Sequence, residues 1–214
     1  MNETRKRSTR GFAQGICLGV LLAGLVASVL LLDGCAAAPE LRYYHVEIPP
    51  PPRAAEAPLP VTLGLARASA PEPYQQERIL YRASPYRVQS YDYDRWESPP
   101  AEMLDALLLD RFTESGRFQR VIPWRREPVD YRLQVRLHRF EEVDEGDRWY
   151  GMTELTYELL DAGGRSLLLE TSSQRILVQR KSVEGVVEAL SQGLQAGLDE
   201  AIARTAAAVM AARR

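Results

Sequence analysis

The sequence holds two cysteines in 214 residues, Cys17 and Cys35, and none after position 35. Disulfides, thiolate-ligated zinc and thiol nucleophiles are therefore excluded from everything beyond the N-terminal segment. Histidine is equally scarce: His45 and His138 have no second histidine at helical or hairpin spacing, so a histidine metal centre would need both of them plus distant carboxylates. Excess charge of one sign is also missing. A formal net charge of -2 with interspersed signs leaves no basic field to gather phosphates, and nucleic acid is not an expected partner. No glycine-rich phosphate loop joins a strand to a helix, no Gly-x-Ser-x-Gly elbow occurs, Ser172 and Ser173 have no nearby histidine, and no internal repeat is visible.

What is present begins with an export segment. Arg5, Lys6, Arg7 and Arg10 precede an uncharged apolar run over residues 11–32, and a positive flank before an apolar stretch puts the chain after residue 35 outside the inner membrane. At about 1.5 Å per residue the run is also long enough to cross a hydrocarbon core, so an uncleaved inner-membrane anchor is the alternative. It closes on Leu32-Asp33-Gly34-Cys35, which resembles the processing site of bacterial lipoproteins, where the cysteine receives diacylglycerol and the chain is cut before it. Asp33 departs from that pattern. The resemblance implies lipidation of Cys35 and, with Ala36 following, sorting to the outer membrane. Residues 1–35 are thus expected to be a lipoprotein signal segment, residues 36–40 (AAAPE) a tether, and residues 41–214 a single domain.

In that domain, LRYYHVEIP (41–49) is expected to be a first strand with Tyr43 or Tyr44 inward, and PVTLGLARA (60–68) a second. Two short strands follow around Ile79-Leu80-Tyr81 and Tyr86 to Tyr93, divided by Ser84-Pro85. Ser98 ahead of Pro99 and Pro100 reads as a helix cap, and Met103, Leu104, Leu107, Leu108 and Phe112 form the apolar stripe of a helix over 99–115, stopped by Gly116. A short strand over 117–122 precedes an alternating one, with Val129, Tyr131, Leu133, Val135 and Leu137 on one face and His138 on the wet side. Glu141, Glu142, Asp144, Glu145 and Asp147 fall where a hairpin loop is expected. Two more strands meet at Asp161-Ala162-Gly163-Gly164, completing an antiparallel meander. Residues 183–214 then form a long helix capped by Ser182, with Val186, Leu190, Leu194, Leu198, Ile202 and Val209 inward and Gly193 and Gly197 allowing close approach to the domain's own sheet. The pattern predicts an α+β fold, two amphipathic helices on a mostly antiparallel sheet.

Candidates for catalysis are thin. Asp92 and Asp94, two apart on a strand, would face the same way, where acid/base pairs or a cation site can arise; flanked by Arg87 and Arg95 they read as a solvated face. An enzyme is not expected, nor a cofactor. Tyr74, Tyr81, Tyr86, Tyr91, Tyr93 and Trp96 make an aromatic-rich stretch, divided between core and surface available to a partner.

ERILYR, then a Tyr-Arg-Val strand, YDYDRWESPPAEML, a helix ending in SGRF, and DYRLQVRLHRFE together resemble the auxiliary lipoproteins of ABC-type transporters, over about residues 41–145. The matching positions are Arg78, Tyr81, Arg82, Tyr91, Trp96, Pro99, Pro100, Met103, Leu104, Gly116 and Phe118. This resemblance implies a non-enzymatic, lipid-anchored periplasmic subunit that accompanies ring-forming MCE-type proteins in lipid transport, docks on the ring and links it to the outer membrane. It offers Arg78, Tyr81, Arg82, Tyr91 and Trp96 as partner-binding residues and leaves room for a homo-oligomer. The alternative is an envelope-biogenesis or outer-membrane assembly scaffold.

Overall fold

The computed structural model describes residues 39–214. The signal segment, Cys35 and most of the expected tether lie outside them. Leu41–Arg214 pack as one unit around a single hydrophobic core. Among the described residues four strands and a helix are followed by four more strands and a second helix: β1 (Arg42–Tyr44), β2 (Leu59–Leu65), β3 (Arg78–Ser84), β4 (Arg87–Trp96), α1 (Pro100–Glu114), β5 (Phe118–Pro123), β6 (Tyr131–Glu145), β7 (Arg148–Asp161), β8 (Ser166–Leu177) and α2 (Val183–Ala212). A short 3-10 turn, Glu72–Gln75, precedes β3.

The fold is α+β, on an eight-stranded sheet whose long pairings are antiparallel: β6 with β7, β7 with β8, and β3 with β4. Its organiser is β6. One edge of this strand carries β7 along its whole length. The other edge carries two short parallel partners end to end, β2 opposite Tyr131–Leu133 and β3 opposite Glu142 and Val143. Short parallel joins also attach β5 to β2 and β1 to β4. Alternation cannot distinguish a parallel from an antiparallel neighbour, so these joins were not legible in the sequence.

Both helices bury their apolar stripes as their spacing requires. Leu104, Leu108 and Phe112 of α1 and Val186, Leu190, Leu198 and Val209 of α2 are buried in the common core, each such side chain worth about 1.5–3 kcal/mol of transfer free energy. Ser182 caps α2 by accepting from the Gly185 amide at 3.2 Å. Gly193 and Gly197 do bring α2 against its own sheet: a Cβ at Gly193 would stand 2.9 Å from Thr153 Oγ1, and one at Gly197 3.2 Å from Leu155 Cδ1.

Three local expectations need correction. The first strand covers Arg42–Tyr44 rather than 41–49, because only these residues find a partner on β4. Ser98 does not cap α1; Pro99 occupies the cap position, its ring has no atom to accept a hydrogen bond, and its carbonyl accepts from the Glu102 and Met103 amides at 2.8 and 3.1 Å. Third, β6 continues to Glu145, and the turn falls at Gly146, whose φ of 64° suits glycine. The register slips between Leu137 and Arg139, and this bulge re-phases the strand so that Phe140 joins Leu133, Val135 and Leu137 in the core. Glu141 and Glu142 are thereby buried strand residues, not loop residues.

Candidate functional site

The Arg-Ile-x-Tyr-Arg segment lies in β3, which runs between β4 and β6 and is not an edge of the sheet. Ile79 and Leu80 are core. Its polar side chains meet the carboxylates of β6. Glu141 is 0% exposed, and a bare carboxylate there would lose its hydration with nothing in exchange. Donors surround it instead: Arg82 Nε at 3.0 Å and Nη2 at 3.2 Å, Arg139 Nε at 3.0 Å and Nη2 at 2.8 Å, and the Tyr74 hydroxyl at 3.0 Å. Burial pushes its pKa up, but the hydrogen bonds and charges of the two arginines outweigh that and hold it below the usual glutamate value. Arg82 also donates to the Pro85 carbonyl at 3.2 Å, tying the network to the β3–β4 turn.

Glu142, next along the strand, takes the opposite direction and a different environment. It accepts from the Tyr91 hydroxyl and lies in hydrogen-bonding reach of Asp144. Burial, then the neighbouring carboxyl, push its pKa up to about 8. Asp144 Oδ1 is buried with no donor among the described residues. Tyr91 packs on Tyr81 with tilted rings, centroids 5.2 Å apart, and burial followed by the Glu142 contact raises its own pKa.

Asp92 and Asp94 do not share a face. The β3–β4 register slips between Ser90 and Arg95, and the Arg95 guanidinium gathers the carbonyls of Tyr91, Asp92 and Asp94 at 2.6, 2.8 and 2.7 Å. That bulge leaves Asp92 in solvent and turns Asp94 inward to 3% exposure. There Arg42 clasps it with Nε at 2.8 Å and Nη2 at 3.0 Å, and the Tyr44 hydroxyl adds a bond at 2.9 Å, so Asp94 fastens β1 to β4.

The structure therefore brings Tyr81, Arg82 and Tyr91 together around Glu141 and Glu142. Arg78 stands apart on the surface, its Nη1 3.4 Å from Ser90 Oγ. Trp96 is 0% exposed and packs on Phe140 at 5.2 Å between centroids; it is a core side chain, offering a partner no surface. The aromatic stretch divides as expected: Tyr74 and Trp96 are buried, Tyr81 and Tyr91 half-buried, Tyr86 and Tyr93 exposed. Histidines are apart, His138 Nε2 lying 2.8 Å from Thr156 Oγ1 and His45 lining an open groove of about 600 Å³ between the segment after β1 and α2. Among the described residues no three His, Cys, Asp or Glu side chains gather as a metal ion would require. What these clusters do chemically is hold strands in place, since their acids and bases are engaged with one another.

The model of the family described as ABC-type transport auxiliary lipoprotein component matches residues 44–203. The chain belongs to that family. Membership makes it an auxiliary component of ABC-type transport, in a family of membrane-anchored envelope lipoproteins. The fold is shared with solved structures. A Xanthomonas campestris protein of the DUF330 family superposes with a TM-score of 0.73 at 24% identity, over 80% of this chain and 98% of that one. A hypothetical protein from Chlamydia trachomatis superposes with a TM-score of 0.50 at 9% identity, over 72% of this chain and 99% of that one. No curated protein matches.

For this auxiliary lipoprotein, the residues that sequence reasoning placed wrongly, besides Asp94, are Glu141, Glu142 and Asp144. Two signals mark them. Phe140 continues the apolar series one residue out of phase, which a bulge explains, and Glu145-Gly146-Asp147 is a better turn than anything before it.

Proposed function

We propose that this chain is a non-enzymatic accessory subunit of an MCE-type ABC lipid transport system, anchored to the outer membrane through lipidated Cys35. Its domain stands in the periplasm, docks on the MCE ring and links that ring to the membrane. The observation that carries this reading is the family match over residues 44–203. Geometry supports binding over catalysis, because Glu141 and Asp94, the most deeply buried carboxylates with cationic partners, are saturated by fixed donors. Of the residues offered for docking, Arg78 and the outer parts of Tyr81 and Arg82 reach the surface, while Tyr91 and Trp96 serve by holding β4 in place.

In-cell photocrosslinking from the exposed Tyr93, which leaves Arg78 in place, is expected to capture an MCE-type ring subunit. Recovery of a barrel-assembly or peptidoglycan-linked protein instead would favour the scaffold reading. Mass spectrometry of the mature N-terminus checks the anchor: an acylated Cys35 is expected, and an intact segment from Met1 without acyl chains would place the tether in the inner membrane.

A further inference from the structure

Three turns share one end of the sheet. β3 runs parallel to β6, so the β3–β4 turn at Pro85-Tyr86 and the β6–β7 turn at Gly146-Asp147 lie at the same end, and the antiparallel β7–β8 pairing brings the end of β8 there too. β1 adds the decisive fact. It pairs parallel to β4 with Arg42 opposite Asp94, so, followed backwards, the chain leaves β1 toward that same end. From Cys35 to Leu41 the chain spans at most about 20 Å at roughly 3.3–3.6 Å per residue. β4 between Arg87 and Asp94 runs no further than about 23 Å. A bilayer that holds Cys35 therefore lies no more than about 20 Å from Leu41, a distance comparable with the run of β4 from Asp94 to the β3–β4 turn, so this end of the sheet is within its reach.

The chemistry of this end suits a lipid headgroup layer. Tyr86 is 97% exposed at the tip and Leu177 42% exposed at the end of β8. Behind them, two half-buried aromatics are topped by cations: Arg175 lies 3.6 Å over the Tyr150 ring and Lys181 5.7 Å from the Trp149 ring. Arg87 and Arg148 flank the turns without an ion-pair partner among the described residues, while Glu145 is engaged by Arg175, leaving Asp147 as the free carboxylate of the β6–β7 turn. Rings with one apolar and one wet side, mixed with arginine and lysine, are the side chains that settle at a bilayer interface and favour anionic lipid.

Resting on the membrane-anchored reading above, we infer that the end of the sheet carrying Tyr86, Trp149 and Lys181 seats on the surface of the anchoring bilayer, in contact with anionic headgroups. The seat fixes the domain's orientation, with the Asp161–Arg165 turn about 45 Å away at the far end of β7.

The test uses the full chain in phosphatidylethanolamine–phosphatidylglycerol vesicles containing lipid brominated near the headgroup. Trp149 reports from the seat in every variant, so each loss is read against that of the wild-type chain: Tyr86→Trp is expected to lose more fluorescence than wild type relative to unbrominated vesicles, Ala162→Trp at the opposite end is expected to add no loss, and Arg87→Glu with Lys181→Glu is expected to reduce the loss. Both added tryptophans sit at exposed positions, and near-ultraviolet circular dichroism confirms the fold of each variant. A chain that floats with the vesicles while Tyr86→Trp is unquenched, or quenched no more than Ala162→Trp, overturns the seat and leaves the anchor intact. A chain that does not float at all overturns both.

Discussion

Arg82 reaches from β3 to hold the Glu141 carboxylate at 3.0 and 3.2 Å, on a strand that follows it by 59 residues. This pair fixes the short β3 to β6 where only Tyr81 and Arg82 have backbone partners. The sheet's parallel half is thus held by side-chain electrostatics as much as by its ladder.

Glu141→Gln is expected to lower stability at neutral pH by about 2–4 kcal/mol, because two arginines lose the charge they were ordered around. The folded-state pKa of Glu141 is depressed below 4.5, so its contribution is present above that value and lost as pH falls through the folded pKa. Wild-type chemical denaturation between pH 6 and pH 3 measures the loss, and the Gln variant is expected to show a flatter acid limb.

Glu142 acts in the opposite sense. Its folded pKa of about 8 lies above the ordinary 4.5, so the stability it confers is full below about 4.5 and is lost as pH rises toward 8. Glu142→Gln, which keeps a donor for Asp144, is expected to remove this alkaline decline and to melt higher than wild type at pH 8, by about 2–4 °C for each kcal/mol gained. Melting curves from pH 5 to pH 9 decide it; a parallel decline in both proteins would count against a proton held by Glu142.

At Gly151 on β7 a Cβ would come within 2.9 Å of the Ala189 backbone carbon and the Leu190 amide. Gly151→Ala is expected to destabilise by about 1–3 kcal/mol, since a helix backbone has nowhere to move. Gly193→Ala should be milder. Its clash is with the single Thr153 hydroxyl, and alanine recovers about 1 kcal/mol of helix propensity. Adding Thr153→Ala to Gly193→Ala is expected to restore the melting temperature, whereas it should not rescue Gly151→Ala.

Trp96 and Arg78 separate folding from docking. Trp96→Ala is expected to cost about 3–5 kcal/mol as a core truncation and to abolish partner capture only by unfolding. Arg78→Ala should leave stability within about 0.5 kcal/mol while weakening crosslinking to the ring subunit. Equal loss of capture in a folded Trp96→Phe variant would contradict this division.

Much of the fold was legible because its long elements follow a single period: the β6–β7–β8 meander, α1 and α2 were read from spacing, glycine stops and the Ser182 cap. The clusters were less legible, for a reason visible in two places. A period-two reading holds only while the ladder is regular, and bulges at His138 and between Ser90 and Arg95 reverse the side on which the following residues fall. Asp94, which alternation puts on a solvated face, therefore lies inside, and Glu142, expected in the hairpin loop, is a buried strand residue. Trp96, a candidate contact by sequence, is core because its ring packs on Phe140, which only the β6 bulge turns inward.

The same parallel join has a mechanical consequence. A pull on the chain ahead of Leu41, along the line of β1, acts parallel to the strand and so loads the Arg42–Asp94 clasp and every β1–β4 backbone bond together, in shear. An antiparallel β1 would leave the sheet at the opposite end and present its bonds to the same pull one after another, like a zip. Under the anchored and docked arrangement proposed above, the direction of a three-residue strand decides whether tension on the domain is shared or concentrated.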